Sequence, residues 1–166
     1  MTSKDLLPPK GRLTPKGLRP ARPADAPRVA AIADAAYRPY LQRMTRTPAP
    51  MDEDYAARIA EGEAQQLTWV LEENGALLGF LVLEEHPDHL LLDNIAIDPD
   101  HHGRGLGKRL LDFTEAEARR RGYRSVELYT NEVMVENISM YLHLGYVETG
   151  RKQDRGYDRV FFRKTL

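Results

Sequence analysis

The chain is predicted to form an α/β domain, with a mixed, mostly antiparallel sheet flanked by helices on both faces. Short apolar strands in its centre are joined by turns, and Asn74-Gly75 is the clearest hairpin signal because both residues accept positive φ. A buried strand at Leu90–Ile97 then leads through a glycine-rich loop into a long amphipathic helix that ends at Gly122. The antiparallel centre argues against a nucleotide-binding fold, in which strand and helix alternate throughout.

The domain is predicted to cover residues 17–166, preceded by a tail. Residues 1–16 contain several proline, glycine and basic residues and little apolar periodicity, so a flexible basic tail is expected. The predicted elements of the domain are, in order, an edge strand at 18–22, a helix at 25–40, an irregular segment at 43–51, a short helix at 52–61, strands at 67–71, 77–83 and 90–97, a helix at 106–121, a strand at 125–130, a helix at 136–144 and closing strands at 146–149 and 157–164 around a turn at 150–156.

Local signals position these elements. Pro20 limits the first strand to a sheet edge, because proline cannot donate a hydrogen bond to a ladder. Asp25 is an N-cap candidate ahead of apolar residues that recur at helical spacing. Gly62 and Gly145 end the second and the last helix. The strand at 125–130 alternates apolar and polar residues, which predicts that one of its faces is buried.

Composition excludes several classes of protein. The formal net charge of −1 gives no strong electrostatic attraction to nucleic acid. The chain contains no cysteine, which removes disulfides, cysteine-ligated zinc and a cysteine nucleophile from consideration. It has no apolar run long enough to span a membrane and no apolar signal-peptide region, so a soluble cytoplasmic protein that does not bind membranes is expected.

The glycine-rich loop predicts a phosphate-binding site. Gly103, Gly105 and Gly107 alternate with Arg104 and Leu106 at the start of the long helix. Glycine lets the backbone approach a ligand closely, and the N–H groups and dipole of a helix N-terminus favour an anion.

Two common nucleotide-binding patterns do not fit this loop. A Walker A loop needs Ser or Thr after Gly-Lys, but Arg109 follows Gly107-Lys108. The Rossmann pattern needs a third glycine where Lys108 stands. The ligand is therefore expected to be a phosphate or pyrophosphate held in some other way.

The loop and its surroundings resemble a known family. His102-Gly103-Arg104-Gly105-Leu106-Gly107 resembles the acyl-CoA loop Q/R-x-x-G-x-G/A of the GCN5-related N-acetyltransferases (GNAT), with His102 where Gln or Arg is usual. The preceding Asn94-Ile95-Ala96-Ile97-Asp98-Pro99 resembles the family's fourth strand. Downstream, Tyr141-Leu142-His143-Leu144-Gly145-Tyr146 resembles its Tyr-x-x-x-Gly-Phe/Tyr segment.

The resemblance implies the GNAT acyl-CoA N-acyltransferase fold, with acetyl-CoA as co-substrate and no metal. In that fold the fourth strand splays away from the fifth, and the pantetheine arm pairs with it like an added strand. The family's usual Asn falls at Met134 here, so Asn137, one helical turn before Tyr141, is expected to replace it. The cofactor-binding residues implied are Ile95, Ala96, Ile97, His102, Gly103, Arg104, Gly105, Leu106, Gly107, Lys108 and Asn137.

The implied reaction is transfer of an acetyl group from acetyl-CoA to a primary amine, by direct attack in a ternary complex. No residue offers a good covalent nucleophile, which argues against an acetyl-enzyme. Tyr141 matches the tyrosine that acts in the family as general acid to the CoA thiolate. The alternative is a non-catalytic acyl-CoA-binding sensor or regulator on the same fold.

The general base is left open by the sequence. Asp93 and Asn94 on the fourth strand, Tyr129 on the fifth, or Glu132 after it could face the amine, directly or through a relayed water. Glu132 is the first candidate, because an Asn-Glu pair close to the expected splay is unusual for a plain loop.

The acceptor is expected to be a small-molecule or peptide amine, and its identity is open. In the family, the first helix–loop–helix region forms one wall of the acceptor site. The candidate acceptor-binding residues are Tyr37, Tyr40, Arg43, Met51, Tyr55, Asn94 and Tyr129.

Two further expectations concern assembly and metals. A homodimer is expected, since edge strands in this family often pair. The histidines at 86, 89, 101 and 102 are poorly spaced for one tetrahedral site, so no metal is predicted.

Overall fold

The computed structural model describes residues 16–166, and they contain a seven-stranded sheet of order β1-β2-β3-β4-β5-β7-β6. Every neighbouring pair is antiparallel except β4 and β5, so the predicted mixed, mostly antiparallel sheet is confirmed. The tail predicted at 1–16 lies, apart from Lys16, outside the described residues. The strands are β1 Leu18–Pro20, β2 Thr68–Glu73, β3 Ala76–Glu85, β4 Leu90–Ile97, β5 Ser125–Asn131, β6 Val147–Asp154 and β7 Tyr157–Thr165.

Helices cover both faces of the sheet, as predicted. Successive strand residues point to opposite faces, so Val70 and Phe80 pack against α1 and α3, whereas Trp69 and Leu81 pack on the side of α4 and α5. Each face therefore has its own apolar core. The α-helices are α1 Ala26–Tyr37, α2 Ala49–Asp52, α3 Tyr55–Gly62, α4 Leu106–Arg120 and α5 Val135–His143.

A bulge in β4 opens the sheet. Leu83 pairs with Leu92 and Val82 with Asn94, so Asp93 is an extra residue on β4. The parallel pairing of β4 with β5 ends at the same point, with Leu92 opposite Leu128. Beyond it β4 continues beside β3 and β5 beside β7, and a gap separates the two central strands. This is the splay that the family resemblance predicts.

Two predicted boundaries are wrong. The single helix expected at 52–61 is instead α2 and α3, because Glu53 is extended and the Asp54 side chain caps α3 by accepting from the N–H of Ala57 at 3.1 Å. The turn expected at 150–156 is only Arg155-Gly156, with φ of 51° and 84°. These two positive φ values suit a two-residue hairpin, whose twist matches that of the strands.

Gly79 allows β3 and β4 to approach closely. A Cβ atom at this position would lie 2.6 Å from Ile97 Cδ1 and 2.9 Å from the carbonyl oxygen of Ala96. We expect Gly79→Ala to lower the free energy of unfolding by about 1–3 kcal/mol, as overpacking does. Denaturant titration would measure this loss. Gly150→Ala is the matched control, because its Cβ would meet open space on β6, and equal losses in both variants would contradict the steric explanation.

Candidate active site

Two cavities lie along the gap between β4 and β5. The loop cavity, about 390 Å³, is beside the glycine-rich loop, and the strap cavity, about 70 Å³, lies under residues 43–50, here called the strap. Both cavities are lined by Tyr37, Ile95, Asn137 and Tyr141, so these residues mark their junction. A ligand in one cavity would therefore meet a ligand in the other beside these four side chains.

The start of α4 presents unpaired N–H groups to the loop cavity. Gly105 is the N-cap with φ of 72°, and Gly103 also has a positive φ, of 81°. Among the described residues, no backbone or side-chain acceptor bonds the N–H groups from Gly103 to Lys108. A Cβ atom at Gly107 would meet nothing within 4 Å, so the backbone here is open to a ligand. These N–H groups and the helix dipole form a site for an anion.

The side chains of this loop have different surroundings. His102 and Lys108 line the loop cavity, and Lys108 Nζ also pairs with Asp112 at 2.7 Å. The hydrogen bond with Asp112 raises the pKa of Lys108. Arg104 points away, because its Nη2 donates to both carboxylate oxygens of Glu73 at 2.9 and 3.0 Å. Arg104 lines neither cavity, so the structure does not bring this predicted cofactor residue to the loop cavity.

The other predicted cofactor residues surround the same cavity. Ile95, Ala96 and Ile97 line it from β4, and Leu106 lines it from the first turn of α4. Asn137 stands at the junction, where its Nδ2 lies 3.8 Å from Met134 Sδ. The wall of the cavity therefore combines the glycine-rich loop and the apolar residues of β4 with polar side chains such as Lys108 and Asn137.

Tyr141 has an unused hydroxyl at the junction. The residue is 4% exposed, and its ring packs edge-on against Tyr146 at 5.9 Å and tilted against Phe162 at 5.7 Å. Tyr141 lines both cavities, and within residues 16–166 no acceptor or donor bonds its hydroxyl. Burial raises the pKa of Tyr141, so the phenol is protonated at neutral pH. The junction thus contains a proton donor with no protein partner among the described residues.

Asp93 and Tyr129 form a hydrogen-bonded pair in the wall of the strap cavity. Tyr129 donates its hydroxyl to Asp93 Oδ1 at 2.6 Å, and Arg58 Nη2 donates to Asp93 Oδ2 at 2.9 Å. Burial and the Asp93 charge raise the pKa of Tyr129. Because the phenol uses its O–H to donate a hydrogen bond to Asp93, the lone pairs of its oxygen are available to a donor in the cavity.

The other two candidates for the general base lie in different surroundings. Asn94 is buried, and its amide accepts from the Tyr37 hydroxyl at 2.9 Å and donates to the Tyr55 hydroxyl at 3.0 Å. Glu132 is exposed and lines neither cavity. Of the candidates from the sequence, Asp93 is therefore the carboxylate that borders the strap cavity.

The predicted acceptor residues divide into two groups. Tyr37, Asn94 and Tyr129 line the strap cavity, and Tyr40 lines the loop cavity. The remaining three, Arg43, Met51 and Tyr55, line neither cavity. Tyr55 instead packs edge-on against Phe80 at 5.4 Å and donates its hydroxyl to the carbonyl of Pro50.

The strap is fixed at both sides of the gap. Arg43 donates to both carboxylate oxygens of Glu136 on α5, at 2.8 and 2.9 Å, and this bond lowers the pKa of Glu136 to about 2. On the other side, Arg46 donates to the carbonyl of Arg155 at 2.9 Å and stacks over the Tyr157 ring. Tyr157 in turn donates its hydroxyl to the carbonyl of Thr47 at 2.5 Å. The strap thus forms a roof over the strap cavity.

Arg159 is a site residue that sequence reasoning missed. It is 7% exposed, lines the strap cavity, and its guanidinium carbon lies 4.3 Å from the centroid of the Tyr129 ring. Tyr157, Arg159 and Phe161 are two positions apart on β7 and therefore share one face of the strand. A charged residue between two aromatic ones on that face was the sequence signal that could have indicated a buried arginine.

The described part of the chain offers neither a metal site nor a membrane-spanning helix. His86 and His89 stack at 4.5 Å, yet residues 16–166 contain no cluster of His, Asp and Glu that could hold a metal ion. None of the helices described there combines the length and apolar character needed to cross a membrane.

The splayed sheet and its anion-binding loop define an acyltransferase-like site, and comparison with known families identifies the class. The model of the acetyltransferase (GNAT) family matches residues 29–146, and the chain belongs to this family. The family membership predicted from the glycine-rich loop and the Tyr141 segment is thus confirmed.

Curated relatives are N-acetyltransferases. The ribosomal protein bS18-alanine N-acetyltransferase of Escherichia coli K12 is 33% identical over 88 residues, which are 53% of this chain and 59% of that protein. N-acetyltransferase family 8 member 2 of Rattus norvegicus is 32% identical over 113 residues, covering 58% of this chain and 50% of that protein. The chain therefore spans less than two thirds of the length of these relatives.

Solved structures share the fold over most of the chain. PaiA N-acetyltransferase from Thermoplasma acidophilum, solved with coenzyme A, has a TM-score of 0.75 at 17% identity, covering 90% of this chain and 98% of that one. YncA from Salmonella typhimurium, solved with acetyl-CoA, has a TM-score of 0.65 at 25% identity, covering 90% and 92%. These likenesses confirm the predicted GNAT fold.

Proposed function

We propose that this protein transfers an acetyl group from acetyl-CoA to a primary amine by direct attack in a ternary complex. The observation that carries the proposal is that Tyr141 lines both cavities and that its hydroxyl has no partner among the described residues. One cavity would hold acetyl-CoA and the other the amine, so that both reactants meet beside one proton donor.

The loop cavity suits acetyl-CoA. The open N–H groups from Gly103 to Lys108 would bind the pyrophosphate, and Lys108 would add positive charge. The edge of β4 from Asn94 to Ile97 has no strand partner on its β5 side within the described chain, so its main chain is free to pair with the pantetheine arm. Two structural neighbours were solved with coenzyme A or acetyl-CoA, which supports the same assignment.

The reaction balances with two proton transfers. The amine nitrogen attacks the thioester carbonyl carbon, and a C–N bond forms while the amine gives up a proton to a base. The C–S bond then breaks, and the leaving thiolate takes the hydroxyl proton of Tyr141. Solvent reprotonates the phenolate, because the raised pKa of Tyr141 favours the neutral phenol. The products are the N-acetylated amine and CoA.

We assign the base to Asp93, acting through Tyr129 or through water in the strap cavity. The carboxylate borders the cavity, and the bulge sets it at the point where β4 leaves β5. Its two bonds, to Arg58 and to Tyr129, fix its orientation. Glu132, the first candidate from the sequence, is exposed and outside both cavities, which supports Asp93 instead.

Release of the CoA thiol tests the proposed function directly. The protein would be incubated with acetyl-CoA and a panel of primary amines, and free thiol would be followed with a chromogenic disulfide. We expect thiol release that depends on the amine and formation of the N-acetyl product by mass spectrometry. Tight acetyl-CoA binding without turnover of any amine would favour the alternative, an acyl-CoA sensor.

Asp93→Asn tests the base. We expect kcat/KM to fall about 10²- to 10³-fold at neutral pH, the range for loss of a general base. The deficit should shrink as pH rises, because more of the amine is then already deprotonated. Glu132→Gln is the matched control and should stay within about twofold, since surface carboxylates outside the site contribute little. The assignment would be refuted if Glu132→Gln lowered kcat/KM as much as Asp93→Asn is expected to do. It would also be refuted if kcat/KM of Asp93→Asn were reduced by the same factor at every pH.

A further inference from the structure

We propose that the acceptor is a free amino acid, whose carboxylate binds Arg159 while its amine faces Asp93 and Tyr129. This inference rests on the proposed function and adds the substrate class to it. Its basis is a buried guanidinium with unused donors in the wall of the strap cavity.

Arg159 has more hydrogen-bond donors than partners. A guanidinium carries five N–H groups, yet among residues 16–166 only Nη1 has an acceptor, Asp154 Oδ2 at 2.6 Å. The residue is 7% exposed, whereas the Asp154 side chain is 38% exposed. A charged group removed from water needs its hydrogen bonds satisfied. Arg159 lines the strap cavity as well as a neighbouring pocket that Asp154 borders, and an acceptor molecule in the strap cavity can supply the missing oxygen atoms.

The cation and the base both contact the Tyr129 side chain. The Arg159 guanidinium carbon lies over the face of the ring, 4.3 Å from its centroid, and the hydroxyl of that ring donates to Asp93 Oδ1 at 2.6 Å. All three residues line the strap cavity, as does Tyr141. A molecule with an amine and a carboxylate on neighbouring atoms can reach both groups at once. An α-amino acid is the simplest such molecule.

A carboxylate suits Arg159 better than a neutral carbonyl does. The planar guanidinium can hold both oxygens of a carboxylate in two parallel bonds, which a carbonyl with one oxygen cannot form, and the opposite charges also attract each other. The other charged groups of this wall are already paired. Asp93 is bonded to Arg58 at 2.9 Å, and Asp154 uses one side of Arg159. An incoming carboxylate would therefore face a cation only partly neutralised.

The strap favours a small acceptor over a protein chain. Arg46 is bonded to Arg155 in the β6–β7 turn, and Thr47 to Tyr157 at the start of β7. Arg43 is bonded to Glu136 on α5, so the roof of the cavity is held on both sides. Arg46 stacks over the ring of Tyr157, and the centroid of the same ring lies 5.4 Å from the Arg159 guanidinium carbon. The strap and the proposed carboxylate site at Arg159 thus belong to the same cluster of side chains.

Matched pairs of acceptors test the inference. A panel of L-amino acids would be assayed by CoA thiol release, each as the free acid and as its carboxamide, with kcat/KM referred to the deprotonated amine. We expect the free acids to be favoured on the order of 10- to 100-fold, the value of a hydrogen bond to a charged group. In Arg159→Gln this ratio should fall to about one, and Arg159→Lys should restore part of it.

Two results would overturn the inference. One is equal kcat/KM for acids and carboxamides in the unaltered protein. The other is a peptide beginning with alanine acetylated more efficiently than any free amino acid. A binding experiment separates this inference from the proposed function, because it does not depend on turnover. The affinities of N-acetyl amino acids and of their carboxamides would be measured by calorimetric titration of the protein with CoA present. Selective binding of the acid without turnover of any amine would support the Arg159 site and contradict the catalytic role.

Discussion

Replacing Tyr141 with phenylalanine is expected to lower kcat for acetyl transfer by about 10²- to 10³-fold, the range for loss of a general acid. The substitution removes only the hydroxyl at the junction of the two cavities and keeps the ring that packs against Tyr146 and Phe162. The thiolate would then leave without a proton donor. Affinity for acetyl-CoA should change little, because binding is assigned to the loop and β4. Steady-state kinetics and calorimetric binding of acetyl-CoA would separate these two effects.

Tyr146→Phe is the matched control for this experiment. Tyr146 is also buried and belongs to the same aromatic cluster, but it lines neither cavity. Its kcat should stay within about twofold of the unaltered protein, as expected away from the site. Similar losses of kcat in the two variants would mean that packing of the cluster matters and that Tyr141 is not the acid.

Gly107→Glu is expected to abolish binding of acetyl-CoA without unfolding the protein. The new carboxylate would project into the open space at the start of α4, where the pyrophosphate is assigned. A ligand at a hundred times its dissociation constant adds about 2.7 kcal/mol of stability. For a domain of this size, this gain in stability raises the Tm by roughly 5–10 °C. The Tm of Gly107→Glu should not rise when acetyl-CoA is added.

The apo form of Gly107→Glu provides an internal check. Gly107 has no positive φ, and an acidic residue in the first turn of a helix interacts favourably with its dipole. The variant without ligand should therefore melt at or above the Tm of the unaltered protein. Gly107→Gln has nearly the same shape without the charge and should retain much of the shift with acetyl-CoA. A full shift in Gly107→Glu would contradict the pyrophosphate assignment.

Most of the fold could be predicted because its signals are local. The Asn74-Gly75 hairpin, the glycine-rich loop and the capped helices each depend on a few neighbouring residues. The bulge at Asp93 is different, because it is defined by pairing with β3, which no local pattern records. The sequence therefore predicted a splayed sheet through family resemblance, whereas the residue that produces the splay needed the structure.

The candidate site was less predictable, because its contacts join distant parts of the chain. Arg43 bonds Glu136 across 93 positions, and Tyr157 bonds Thr47 across 110. The sequence predicts that Arg43 contacts the acceptor, because its partner Glu136 on α5 cannot be recognised from the sequence. Arg159 is missed for the converse reason: a charged residue on a closing strand is expected to be solvated, and only the structure shows that it is buried.

The bulge also determines which kinds of genetic change β4 can tolerate. It puts Asp93 and Asn94 on the same face of the sheet and returns Ile95 to the core on the side of α4. A point mutation at codon 93 changes one side chain and keeps the bulge. An in-frame deletion of that codon restores strict alternation: residues 94 to 97 keep their faces and their partners on β3, but the irregularity at which β4 leaves β5 is lost. Homologues of this chain with the same splay should accordingly vary the residue type here more readily than the length of the strand.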